Sequence, residues 1–115
     1  MYYKDCNGQT YEAVQNKRTV RGVTFTTWQR DITNANCLEV EVGTTGYQGG
    51  DTGHGGRTYL RIKDDGGTDM RVMTINDDAE HTDEFAIEFG GDAELETLIE
   101  ALKWAVSVLE VKAAE

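Results

Sequence analysis

Apolar and polar residues alternate most clearly in two short runs. In CLEVEV, Leu38, Val40 and Val42 fall on one face of an extended chain, and Glu39 and Glu41 on the other. RTYLRIK repeats the pattern, with Leu60 and Ile62 on the core side and Tyr59, Arg61 and Lys63 directed outward. No crossover helix separates them, so the spacing predicts an antiparallel pair with opposite charges facing one another across its outer face. TYEAV (10–14) and RTVRGVTFTTW (18–28) have the Thr, Val and aromatic content of strands, with Gly22 as a candidate bulge. QRDITNAN (29–36) reads as a polar turn, DDGGTD (64–69) as a hairpin turn and NDDAEHTDE as an acidic turn. DMRVMTIN and EFAIEF supply further strands, the latter with Phe85, Ile87 and Phe89 on the core face.

The last quarter has a different period. Gly90 and Gly91 break the strand, Asp92 offers itself as an N-cap, and Glu94 and Glu96 sit where a helix dipole favours acids. Leu95, Leu98, Ile99, Leu102, Val106 and Leu109 then recur at helical spacing over 92–112. The expected architecture is a single α+β domain over 1–115. An antiparallel meander of five or six strands lies between 10 and 89, with one long C-terminal helix across one face. A second apolar stripe, Ala101, Trp104, Val108 and Val111, lies nearly opposite the first. Either the chain's own N-terminal segment covers it, or it is a subunit interface that makes the protein a homo-oligomer.

Charge narrows the partners. The 115 residues carry a formal net charge of −10. Polyanionic DNA and RNA, and anionic lipid surfaces, are therefore poor partners. An acidic chain can instead occupy a basic site on another protein. No apolar run approaches the roughly 20 residues that span a bilayer, and MYYKDCNGQ lacks a signal-like apolar stretch, so the expected location is cytoplasmic. Cys6 and Cys37 form no metal-binding or redox motif and read as reduced, inert thiols.

The candidate chemistry lies in GTTGYQGGDTGHGGR, residues 43–57. Glycines at 49, 50, 53, 55 and 56 let successive backbone N–H groups point into one concavity, a nest that binds anions. Gly49, Gly50, Gly53, Gly55 and Gly56 supply such amides, and Arg57 brings a planar fork for phosphate or carboxylate. His54 adds a pH-dependent donor, Tyr47 or Trp28 an aromatic surface, and Asp51 an acceptor for ribose hydroxyls. Arg61, four residues beyond Arg57 on one strand face, extends the cationic strip. The loop lacks GxxxxGK[ST] and a helix-opening GxGxxG, so neither a Walker A nor a dinucleotide fold is implied. Two other uses stay open: a structural loop folded over the sheet edge, with Arg57 paired to Asp51 or a glutamate, or a protein-contact loop. Asp51 and His54 are too few to hold a metal, and no cofactor is expected. Ser107, the one serine, lies mid-helix, and neither cysteine has a histidine nearby in sequence, so no catalytic set is assigned.

LEVEVGTTGYQGGDTGHGGRTYLRI and FGGDAELETLIEALKWAVSVL together resemble a group of small uncharacterised proteins of Gram-positive bacteria and their phages. Size and plan are also similar to phage anti-defence sponges that act against the Thoeris system. That resemblance implies sequestration of a cyclic ADP-ribose-type signal in pockets between subunits, and it assigns no residue of this chain to a site. The leading expectation is a non-catalytic binder of a phosphorylated, nucleotide-like molecule. The rivals are an acidic phage or mobile-element protein that blocks a host enzyme, and a small nucleotide-processing enzyme using His54 and Asp51 as acid and base.

Overall fold

The structure, a computed structural model, describes residues 2–4, 10–33, 36–49, 55–66, 68, 70, 72 and 84–113. Two short strands, β1 (Tyr2–Lys4) and β2 (Thr10–Glu12), pair antiparallel as a separate ribbon. The main sheet is an antiparallel meander in chain order: β3 (Val14–Val20), β4 (Val23–Thr33), β5 (Cys37–Thr44), β6 (Arg57–Gly66) and β7 (Glu84–Gly90). The helix α1 (Asp92–Ala113) follows at once and packs against β6 and β7. None of the described helical residues forms a span long and apolar enough to cross a membrane.

The α+β plan matches the sequence expectation, with local corrections. Gly22 is no bulge. Arg21 and Gly22, both at positive φ (50° and 85°), form a two-residue turn that pairs Val20 with Val23. That geometry fits the right-handed twist of a hairpin, and glycine adopts it without steric cost. The run 18–28 is thus two strands. QRDITNAN is not wholly a turn either, because β4 continues through Thr33, paired to Cys37. The strand expected in DMRVMTIN and the acidic turn after it lie largely outside the described residues.

The largest correction concerns which face is inside. Register places Trp28, Val42, Leu60 and Ile87 in one row on one face. Gln29, Glu41, Arg61 and Ala86 form a row on the other. The second, polar face was expected to meet solvent. Instead Glu41 is 0% exposed and Arg61 7%. The sheet curls until β3 approaches β6 and β7, and this closes the polar face into a concave interior. Arg21, at the end of β3, lies against Gly90 of β7.

A buried charge is tolerable only when paired and hydrogen-bonded. Glu41 meets that condition. Arg18 donates through Nε and Nη2 to its two oxygens at 2.7 Å each, Thr27 donates its hydroxyl at 2.6 Å, and Arg61 Nε donates at 3.0 Å. These donors, the Arg18 guanidinium above all, hold the Glu41 carboxyl down at about 2. Arg61 also donates to Glu84 at 2.6 Å and to Glu39. The Arg18 guanidinium stands 5.3 Å from the centre of the Tyr59 ring.

The opposite, apolar face carries α1 over one end only. Leu95 is buried there, while Ile32, Val42, Ile87, Ile99 and Leu102 remain exposed. The buried apolar set among the described residues is Ala13, Val20 and Leu95.

Candidate functional site: a glycine clasp closed by Asp92

Hydrogen bonds join the described arms of the loop after β5. Thr45 N–H donates to the Arg57 carbonyl and Arg57 N–H donates back to Thr45 Oγ1, both at 2.9 Å. These bonds extend the β5–β6 ladder by one pair and bring the loop's two arms together. Gln48 ties its side-chain amide to the Thr45 carbonyl at 2.8 Å. Gly91 N–H donates to the Gly56 carbonyl at 2.7 Å, which docks the base of the loop on the start of α1.

Three backbone N–H groups then converge on one carboxylate. Asp92 accepts from Gln48 at 3.0 Å and Gly56 at 2.7 Å through Oδ1, and from Gly49 at 2.6 Å through Oδ2. Amide donation from Gln48 first, then from Gly56 and Gly49, holds the Asp92 carboxyl below the usual carboxylate range. The loop is therefore an anion nest in geometry, and its present occupant is the protein's own side chain. Close approach demands glycine here. A Cβ at Gly56 would run into the Gly46 carbonyl and Thr45 Oγ1, and one at Gly55 into the Asp92 carboxylate.

Asp92 is consequently not the N-cap. It is the first residue of α1, and its side chain reaches back into the loop. The first helical bond runs from Leu95 N–H to the Gly91 carbonyl at 3.2 Å. Gly91, at φ 124°, holds the cap position.

Of the sequence candidates, Gly49, Gly55, Gly56 and Arg57 come together at this clasp. Arg57 donates from Nη1 to the Gly55 and Gly56 carbonyls at 2.9 and 3.2 Å. Its Nε is buried with no hydrogen-bond partner. A charged donor held by neutral carbonyls and one orphan N–H is a guanidinium below its bonding capacity. Tyr47, next to two of the clasp amides in sequence, is 58% exposed. Gly50, Asp51, Gly53 and His54 lie outside the described residues.

Two expected members stand apart. Arg61 shares a sheet face with Arg57, yet its guanidinium is committed to Glu39, Glu41 and Glu84. Trp28 sits in the apolar row of the opposite face. The helix stripe is also located: Ala101, Trp104, Val108 and Val111 are exposed on α1.

A further cluster had no signal in the residue pattern. Asp31, Cys37 and Asp65 reach one another from the ends of β4, β5 and β6, with their ligand atoms within 4.8 Å. Desolvation and repulsion from Asp65 raise the Asp31 carboxyl. Thr33 donates to the Cys37 sulfur at 3.4 Å. Only strand register joins these residues, so spacing along the chain carried no signal.

Comparison of the chain with protein-family models, with curated proteins and with solved structures finds no match.

Proposed function

We propose that the protein is a non-catalytic binder of a phosphorylated, nucleotide-like small molecule, whose phosphate takes the place of the Asp92 carboxylate in the clasp. The observation that carries this reading is the convergence of the Gln48, Gly49 and Gly56 amides on a single anion. A phosphate presents oxygens to the same donors with up to about twice the charge of a carboxylate. Arg57 would exchange two neutral carbonyl acceptors for an anionic one, and charge-assisted bonds are roughly twice as strong as neutral ones. Tyr47 would stack on the base, Asp51 would accept hydrogen bonds from ribose hydroxyls and His54 would orient the ligand. Amides and a guanidinium bind charge without transferring protons near neutral pH, which favours sequestration over turnover. The likeness in size and plan to phage anti-defence sponges, which assigns no residue to a site, points the same way and suggests a cyclic ADP-ribose-type signal as the ligand.

The test is a set of melting curves with ATP, ADP, cyclic ADP-ribose, pyrophosphate and adenosine. Ligand that binds the folded state alone raises the melting temperature. The phosphorylated compounds should do so and adenosine should not. Arg57→Ala should keep the unliganded melting temperature and lose most of the gain. Equal shifts from adenosine and ATP, or none from any compound, contradict the reading. Mass spectrometry of small molecules released by heat adds a check, since an enzyme would return an altered ligand. A second reading, an acidic protein that blocks a basic site on a host enzyme, is favoured by the net charge of −10. It predicts a co-purifying macromolecule released by salt.

A further inference from the structure

The turn between β3 and β4 opens on a residue that suits it poorly. Arg21 has φ 50° at the first position of the Arg21–Gly22 pair. Hairpin turns of this hand favour asparagine, aspartate or glycine there, because most side chains crowd the backbone at positive φ. The arginine is exposed, and its guanidinium reaches across the mouth of the curled sheet to β7. Nη1 stands 2.6 Å from the point where a Cβ of Gly90 would lie, and Gly90 is buried beneath it. Gly90 is also the register partner of Arg57. Directly opposed side-chain positions leave a sheet on the same face, about 5 Å apart. The end of β3 and the start of β6 thus bring two guanidiniums to one corner, on the polar, concave face.

Neither guanidinium is neutralised there. Among the described residues no carboxylate pairs with Arg21. Arg57 donates only to the Gly55 and Gly56 carbonyls, and its Nε is buried without a partner. Gly56 joins this corner to the clasp. Its N–H is one of the three clasp amides, and its carbonyl accepts from Arg57 and from Gly91. The described acids beside the corner are Asp92, which a ligand would displace, Glu94, whose carboxylate lies against Gly91, and exposed Glu88 on β7. Two unpaired guanidiniums side by side, in a chain of net charge −10, fit an anion between them.

We infer that Arg21 and Arg57 together hold a second phosphate beside the one in the clasp, so that the site takes diphosphates in preference to monophosphates. The inference rests on the proposed binding of a phosphorylated molecule at the clasp, and it adds Arg21 to that site. One phosphate takes the amides of Gln48, Gly49 and Gly56. The next, joined to it through one bridging oxygen, takes the two planar forks, which match phosphate oxygens in pairs. Arg21 is then the residue that sets specificity, since a lone phosphate in the clasp does not need it. The unfavourable φ is retained because the shorter side chains that suit the turn cannot span the mouth to Gly90.

Calorimetric titration with ADP, AMP, pyrophosphate and inorganic phosphate tests the inference. The wild type should bind ADP at least about tenfold more tightly than AMP, and pyrophosphate more tightly than phosphate by a similar factor, as added charge-assisted bonds give. Arg21→Asn should lower the ADP-to-AMP ratio to under about threefold, chiefly by weakening ADP. The same variant should raise the unliganded melting temperature, because asparagine suits the turn, so the lost affinity is not a lost fold. Gly90→Ala, whose methyl group would push the Arg21 guanidinium aside, should lower the ratio in part. A wild type that binds AMP as tightly as ADP overturns the inference and leaves the clasp reading standing. An ADP preference that survives Arg21→Asn does the same, as does an equal loss for ADP and AMP. Binding of none of the four probes overturns the clasp reading and this inference with it.

Discussion

Glu41 and Asp92 are two carboxylates that the protein satisfies in opposite ways. Glu41 is sealed under the curled sheet and held by Arg18, Thr27 and Arg61. Asp92 lies at the start of a surface helix and is held by three backbone amides of a glycine loop. The first carboxylate is itself fully buried, and its buried partner Arg61 is interlocked with Glu39 and Glu84, so no external anion can take the carboxylate's place. The second set is backbone, with Gln48 and Gly49 exposed at the surface and Gly56 buried beneath them. One carboxylate therefore belongs to the fold, and the other marks the place where we propose that a ligand competes. The contrast rests on burial and on the kind of donor, since both carboxylates are fully hydrogen-bonded.

The strongest way to break the contrast is to remove Glu41. Glu41→Ala leaves the buried Arg61 and its neighbour Arg18 without their central anion. Breaking a buried ion pair in this way costs about 3–5 kcal/mol. Chemical denaturation should show that loss, and a change under about 1 kcal/mol would mean that the network is not structural.

Acid should reproduce much of the effect. The Glu41 carboxyl titrates at about 2 in the fold, against 4.5 for the free group. Its folded value is lowered, so its stabilisation is complete above about pH 4.5 and is lost as the pH falls toward 2. The linkage is worth roughly 3 kcal/mol. Denaturation midpoints measured from pH 6 to pH 2 should fall steeply across that window. In a Glu41→Gln background the curve should flatten.

Asp92→Ala should act locally. With the anion gone, the three loop amides lose their common acceptor and the segment 43–57 should become the preferred site of proteolytic nicking. The global melting temperature should change far less than in Glu41→Ala. A cooperative loss of the whole fold would erase the distinction between the two carboxylates.

Much of this was legible in the residues. The alternation of Leu38, Val40 and Val42 against Glu39 and Glu41 defines two faces correctly, and the helix over 92–112 matches the observed Asp92–Ala113. What alternation cannot reveal is which face curvature will enclose. That depends on β3 reaching β6 and β7, a contact between residues far apart in the chain. The same limit explains Arg61. Its position on the strand suggested a free cation near the loop, but its partners Glu39 and Glu84 are fixed by pairing across three strands. The glycine run suggested a nest or a structural loop, and the observed amides of Gln48, Gly49 and Gly56 converge on a carboxylate of the chain itself. That carboxylate, 36 to 44 residues further on, left no local trace beyond a helix-opening aspartate that looked like an ordinary cap.

The clasp can be tested most directly by emptying it. Pyrophosphate and ADP should raise the melting temperature of the wild type, and should raise that of Asp92→Ala by at least as much, because the competing carboxylate is gone. The combined Asp92→Ala and Arg57→Ala protein should lose the response. If neither the wild type nor Asp92→Ala responds to any phosphorylated compound, the clasp is a purely structural lock between the loop and the helix, and the proposed function falls with it.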